Sequence, residues 1–164
     1  MSIALHATCF DASALVKRFV EEPGSQELRR YWNTQATRYT TPFCFYETLS
    51  ILKGCWRKNI LTKEAYLKAA SELVAWFRAS HSSRDDIEFT RIDVFADAKE
   101  LAKDIPELDL SDAFQLLSLQ AGYFSGLVGG SKTLLVTADG ALAKAARSRK
   151  LPVWDCLRDP MPTS

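Results

Sequence analysis

The chain has little of what marks several common functional classes. Histidine occurs only at His6 and His81, and the four cysteines, Cys9, Cys44, Cys55 and Cys156, are scattered with no C-x-x-C pair. Zinc sites need closely spaced Cys or paired His ligands, so no zinc site is expected, and the cysteines read as free thiols of a reduced protein. No apolar run is long enough to span a bilayer. No signal peptide is expected either, because His6, Asp11 and the pair Lys17-Arg18 break up the apolar start, and the expected location is cytoplasmic. An excess of one charge is also missing. Twenty-one Lys+Arg against twenty Asp+Glu leave +1, so any nucleic-acid surface must be local. No Ser-His or Cys-His pairing is evident, which argues against a covalent intermediate. No repeat, low-complexity segment or linker divides the chain.

What is present is an ordinary globular composition, 47% hydrophobic and 25% charged over 164 residues. That length suits one domain able to bury about two thirds of its unfolded surface. Residues 1–157 read as that domain and 158–164, with Pro160 and Pro162, as a frayed tail. Apolar and turn signals predict strands at 6–11, 38–41, 87–92, 133–137 and 153–154. Helices are predicted at 14–20 (capped by Ser13), 25–34 (Ser25) and 43–58 after Pro42. Others follow from Thr62 to about residue 79, at 94–104 (Asp93), at 112–124 (Ser111) and at 141–149. Residues 81–86 read as a polar loop, and Gly126, Gly129 and Gly130 as a flexible connection. The helix at 43–58 carries apolar residues around most of its circumference and is expected to be largely buried. Alternating strands and helices predict an α/β domain, with a mostly parallel central sheet of about four or five strands flanked by helices.

Within this pattern, carboxylates occupy unusual places. Asp11 ends the first apolar strand, where it has no packing role, and Asp139 follows Leu134-Leu135-Val136-Thr137 at another strand end. In open α/β sheets ligands bind outside the carboxyl ends of the strands. Asp112 lies in the first turn of a helix, with Asp109 three residues earlier as its rival. Glu47 sits one turn into the most apolar helix, with Phe43 and Ile51 four residues to either side. Each has an ordinary explanation: a helix start for Asp112, an Asp139-Gly140 turn, an Arg partner for Glu47. If the four meet, however, their repulsion needs neutralising. An all-oxygen set without His or Cys selects Mg²⁺ or Mn²⁺. Such ions support phosphodiester hydrolysis by activated water.

These residues resemble the PIN domain family of metal-dependent nucleases, and in particular its VapC-type toxins. The likeness is carried by Phe10-Asp11-Ala12-Ser13-Ala14-Leu15-Val16-Lys17, by Glu47 in a helix after Thr41-Pro42, and by Leu110-Ser111-Asp112-Ala113. It continues through Leu135-Val136-Thr137-Ala138-Asp139 and Leu142-Ala143-Lys144-Ala145-Ala146, spanning about residues 6–155. The resemblance implies that Asp11, Glu47, Asp112 and Asp139 form an acidic quartet around Mg²⁺ or Mn²⁺, supported by Ser13 and Thr137. It implies cleavage of single-stranded RNA by metal-activated water, a homodimer, and a cognate antitoxin whose C-terminal segment covers the site. Lys144 and Arg147, on the helix after Asp139, are candidate RNA contacts. The alternative function is a non-catalytic PIN-like binding module. A phosphatase with an Asp nucleophile fits less well, because Ser13 stands where such an enzyme usually has its second Asp.

Overall fold

The structure, a computed structural model, describes residues 5–80, 91–122, 125 and 132–162. The chain runs β1 (Leu5–Phe10), α1 (Ala12–Phe19), α2 (Ser25–Thr34), β2 (Arg38–Tyr39), α3 (Pro42–Arg57) and α4 (Lys63–Ala79). It continues with α5 (Ile92–Ala102), α6 (Leu110–Ala121), β3 (Lys132–Thr137), α7 (Gly140–Ser148) and β4 (Val153–Asp155). The fold is α/β, one domain, with four strands among the described residues in the order β2-β1-β3-β4, all parallel.

This order places the site. From β1 the chain steps outward to β2 on one side, and from β3 outward to β4 on the other. The sheet's switch point therefore lies between β1 and β3, whose paired residues Phe10 and Val136 lead directly to Asp11 and Thr137. Period-two alternation divides the core. Ala7, Cys9 and Leu135 face Leu116 and Leu119 of α6 and Leu142, Ala145 and Ala146 of α7. Phe10, Leu134 and Val136 face Ala14 and Leu15 of α1 and Leu28, Tyr31 and Trp32 of α2. Trp154 is buried on that second face against Tyr31, ring centroids 4.8 Å apart. Outside α1, Val16 and Val20 pack with Phe45 and Leu52 of α3 and Ala69 and Leu73 of α4. On the other face, α5 lies against α6 through Ala98, Ala113 and Phe114.

Several local expectations are corrected. The helix at 42–57 is not largely buried: Cys44, Phe45, Thr48 and Leu52 are, but Tyr46 is 67% exposed and Phe43 36%. One side packs on α1 and α4, and Phe43 stacks on Phe114 of α6 with ring centroids 5.3 Å apart, while the side carrying Tyr46 stays exposed; a circumferential apolar pattern does not reveal how many neighbours arrive. The caps at Ser13, Ser25 and Ser111 belong instead to Asp11, Gly24 and Asp109. In both Asp-x-Ser sequences the carboxylate takes the cap and the serine hydroxyl donates to it. Ser25 closes the turn before α2, accepting from Glu22 N at 3.0 Å and donating to Val20 O at 2.9 Å. Gly24 takes φ +84°, and a Cβ there would lie 2.9 Å from Cys156 O. Ile92, expected to end a strand, opens α5, and Arg91 rather than Asp93 is the residue before its first turn. The rest of that expected strand lies outside the described residues, as do the polar loop at 81–86 and the glycines 126, 129 and 130. Thr41, expected to end a strand at 38–41, instead caps α3 by accepting from Cys44 N at 3.3 Å, and β2 covers only Arg38–Tyr39. By contrast, Thr62 caps as expected, accepting from Ala65 N at 3.1 Å, and all four cysteines are free thiols. Among the described residues no helix is long and apolar enough to cross a membrane.

Candidate functional site

Asp11 is 5% exposed and extends the ladder beyond β1, its N donating to Val136 O at 3.0 Å. Its two carboxylate oxygens live differently. Oδ2 accepts from Ser13 Oγ at 2.5 Å, Thr137 Oγ1 at 2.9 Å and Ser13 N at 3.3 Å. The same hydroxyls tie down the turn after β3: Ser13 Oγ accepts from Ala138 N at 2.9 Å and Thr137 Oγ1 from Asp139 N at 2.9 Å. Ser13 and Thr137 therefore weld the ends of β1 and β3 around one carboxylate. Oδ1 accepts from the thiol of Cys44 at 3.6 Å. Burial pushes the Asp11 carboxyl up, against the hydrogen bonds from Ser13 and Thr137 that pull it down.

The other acids arrive from separate elements. Asp139 caps α7, its Oδ1 accepting from Ala141 N at 2.7 Å and Leu142 N at 3.1 Å. Asp109 caps α6, its Oδ1 accepting from Asp112 N at 2.9 Å and Ser111 Oγ at 2.7 Å, while Asp112 Oδ2 accepts from Asp109 N at 3.3 Å. This reciprocal box occupies Asp109 with the helix start. Asp112, half-buried, is pushed up to about 7, first by desolvation and then by the charges of Asp109, Asp11 and, less, Asp139. Glu47 is an exposed residue on α3. Desolvation raises its carboxyl first, then the charges of Asp11, Asp109 and Asp139. The charges of Asp11, Asp109 and Asp139 thus reach both Glu47 and Asp112 at one edge of the sheet. Among the described residues none of Asp11, Glu47 and Asp112 forms an ion pair, including the Arg pair considered for Glu47.

A divalent hard cation suits this set in donor chemistry, since every group is a carboxylate oxygen and the charges are mutually unfavourable. Asp11 Oδ1, Asp139 Oδ2, Asp112 Oδ1 and Glu47 are the acceptors not used by the backbone caps. Their placement does not close into a ligand shell: among the described residues no three acidic, His or Cys groups gather as a metal-holding cluster. Electrostatic proximity and coordination geometry therefore differ. The first is the firmer observation, because surface carboxylates reorient about their χ angles while the backbone fixes which edge they share.

Sequence reasoning missed three neighbours. Cys44 Sγ bridges Asp11 Oδ1 and Gln115 Oε1, the latter at 3.3 Å, and Gln115 Nε2 donates to Cys9 Sγ at 3.6 Å. Burial and the Asp11 charge hold the Cys44 thiol well above its ordinary range, so it stays a donor. The available signal was Gln115 alone among Ala113, Phe114, Leu116 and Leu117. The third is Arg158, beside Asp139, in a segment read as tail. Of the expected RNA contacts, Lys144 is exposed, whereas Arg147 pairs with Asp159 at 2.5 Å on the surface. Compared with protein-family models and with curated proteins, the chain matches none.

Proposed function

We propose that this protein is a Mg²⁺- or Mn²⁺-dependent endoribonuclease of the PIN type. The carrying observation is that the Asp112 and Glu47 carboxyls are raised, after their own desolvation, by the charges of Asp11, Asp109 and Asp139 at the switch point of a parallel sheet, with no ion pair to Asp11, Glu47 or Asp112 among the described residues. Asp11 would be the central ligand through Oδ1, since Ser13 and Thr137 fill Oδ2 and lock the carboxylate plane. Asp112, Asp139 and Glu47 would complete the site. A bound divalent ion supplies an activated water and neutralises charge on the phosphate. Thr137 holds both Asp11 and the start of the α7 turn, so it fixes the relative placement of two ligands. The VapC-type likeness extends the reading to the toxin of a toxin–antitoxin pair, acting as a homodimer restrained by its cognate antitoxin.

The second reading, a PIN-like binding module without catalysis, is favoured by one observation: Asp11, Asp109, Asp112 and Asp139 each hold a helix start and do not close into a metal cluster. Purified protein with Mn²⁺ and single-stranded RNA separates the two. The nuclease reading expects cleavage, a Mn²⁺-dependent rise in Tm, and loss of at least about 100-fold in rate in Asp11→Asn. Neither cleavage nor thermal shift in the wild type decides for the module, and an Asp11→Asn variant that cleaves as fast as wild type overturns Asp11 as the central ligand.

A further inference from the structure

The residues after β4 fold back onto the acidic edge. Asp155, 1% exposed, accepts from Leu157 N at 3.1 Å and from Arg158 Nη1 at 2.7 Å. Asp159 Oδ2 accepts from Asp155 N at 2.9 Å, and Trp154 Nε1 donates to Asp159 O at 3.3 Å. This short loop carries Arg158 across the start of α7. Its Nη1 also reaches Ala138 O at 3.4 Å. The guanidinium lies against the Cα of Gly140, where a Cβ would meet Cζ and Nη1 at 3.1 Å and Nη2 at 3.4 Å. A side chain at 140 would push the guanidinium outward by a few tenths of an ångström.

Arg158 is therefore anchored without being used up. The hydrogen bond to Asp155 stabilises its charge first, and the charges of Asp155 and Asp139 follow. One nitrogen serves both protein acceptors, and among the described residues no acceptor takes Nε or Nη2. The side chain is 59% exposed. A planar guanidinium with two free donor positions is shaped for bidentate contact with a phosphate. Lys144 follows Gly140 by four residues, so it stands on the same face of α7, exposed.

We propose that Arg158 is a substrate-binding residue whose Nε and Nη2 hold an RNA phosphate flanking the scissile bond, with Lys144 next along the same face of α7. This rests on the nuclease reading and names the direction in which the strand leaves the acidic edge.

The test is fluorescence anisotropy with a labelled single-stranded RNA, in an Asp11→Asn parent that leaves the RNA intact, across a salt series. Arg158→Gln is expected to lower affinity about 10-fold and to flatten the slope of log K against log salt by about 0.7, the loss of one phosphate contact on a single strand. Arg158→Lys is expected to keep the slope and to lose part of the affinity. Gly140→Ala displaces the guanidinium without removing its charge and is expected to weaken binding as well. With Asp11 intact, the Mn²⁺-dependent rise in Tm is expected to be unchanged by Arg158→Gln. Unaltered affinity and slope in Arg158→Gln overturn the proposal, and so does an altered Mn²⁺ response, which would make Arg158 a counter-ion of Asp139. A parent that binds no RNA at all overturns the nuclease reading, and this contact with it.

Discussion

Asp112→Asn in the metal-free protein gives the most direct measure of how strained the acidic edge is. The Asp112 carboxyl lies at about 7 in the folded chain against 3.8 ordinarily, pushed up by its own desolvation and by Asp109, Asp11 and Asp139. The folded state therefore holds this proton to higher pH than the unfolded state. Stability falls as pH rises wherever the folded state binds more protons. The contribution is complete below about pH 4 and is lost as pH climbs through about 7. Taken at face value the displacement corresponds to about 4 kcal/mol. The group is only half-buried, so solvent screening brings this to about 1–2 kcal/mol. About two thirds of this is lost between pH 5 and pH 8, which for a chain of this size is a fall in Tm of about 1–5 °C. The raised carboxyls of Asp11 and Glu47 act with the same sign. The assay is thermal unfolding followed by circular dichroism in EDTA across that pH range, on wild type and Asp112→Asn. The variant is expected to be the more stable protein at pH 8 and to show a flatter dependence. A wild-type Tm that holds steady or rises from pH 5 to pH 8, or a variant with the full wild-type slope, refutes the account.

Two further outcomes test the frame around the site. Thr137→Val keeps the shape of a buried side chain but removes the donor to Asp11 and the acceptor for Asp139 N; a loss of about 1–3 kcal/mol is expected, read from the urea midpoint. Gly24→Ala meets both a left-handed backbone at φ +84° and Cys156 O at 2.9 Å, so it is expected to cost more than about 1 kcal/mol in the same measurement. A midpoint equal to wild type in either variant contradicts the corresponding contact.

The parts of this molecule legible in the sequence are those governed by short-range pattern. The apolar runs at 6–11 and 133–137 were readable as strands, and the period of two then puts Cys9 and Leu135 on one face and Phe10, Leu134 and Val136 on the other. Pro42 and Thr62 were readable as helix starts, whereas Thr41, next to Thr40 in a β-prone run, was read as strand and is the cap. The caps were misread where Asp and Ser compete two residues apart, since composition does not say which oxygen reaches the backbone. The acids Asp11, Asp112 and Asp139 were visible by position, and their sharing an edge follows from strand order. Asp109 and Asp112 were not separable by sequence, because one capping box engages both, the Asp109 charge acting on Glu47 and the Asp11 charge on Asp112. Arg158 had no local signature, because its placement depends on Asp155 and on the missing side chain of Gly140. The exposure of one side of α3 was likewise a matter of which helices arrive beside it.

Asp11, Asp109 and Asp139 are at once candidate site residues or their neighbours and the caps of α1, α6 and α7. That double duty dictates how mutagenesis here must be read. Asparagine caps a helix about as well as aspartate, while alanine forfeits roughly 1 kcal/mol at such a position. An alanine scan of this edge would loosen three helix starts while it removed charge, and any lost activity would mix the two effects. The Asp→Asn series removes charge and leaves each helix start capped, so an activity lost in asparagine variants of unchanged Tm reports on chemistry alone.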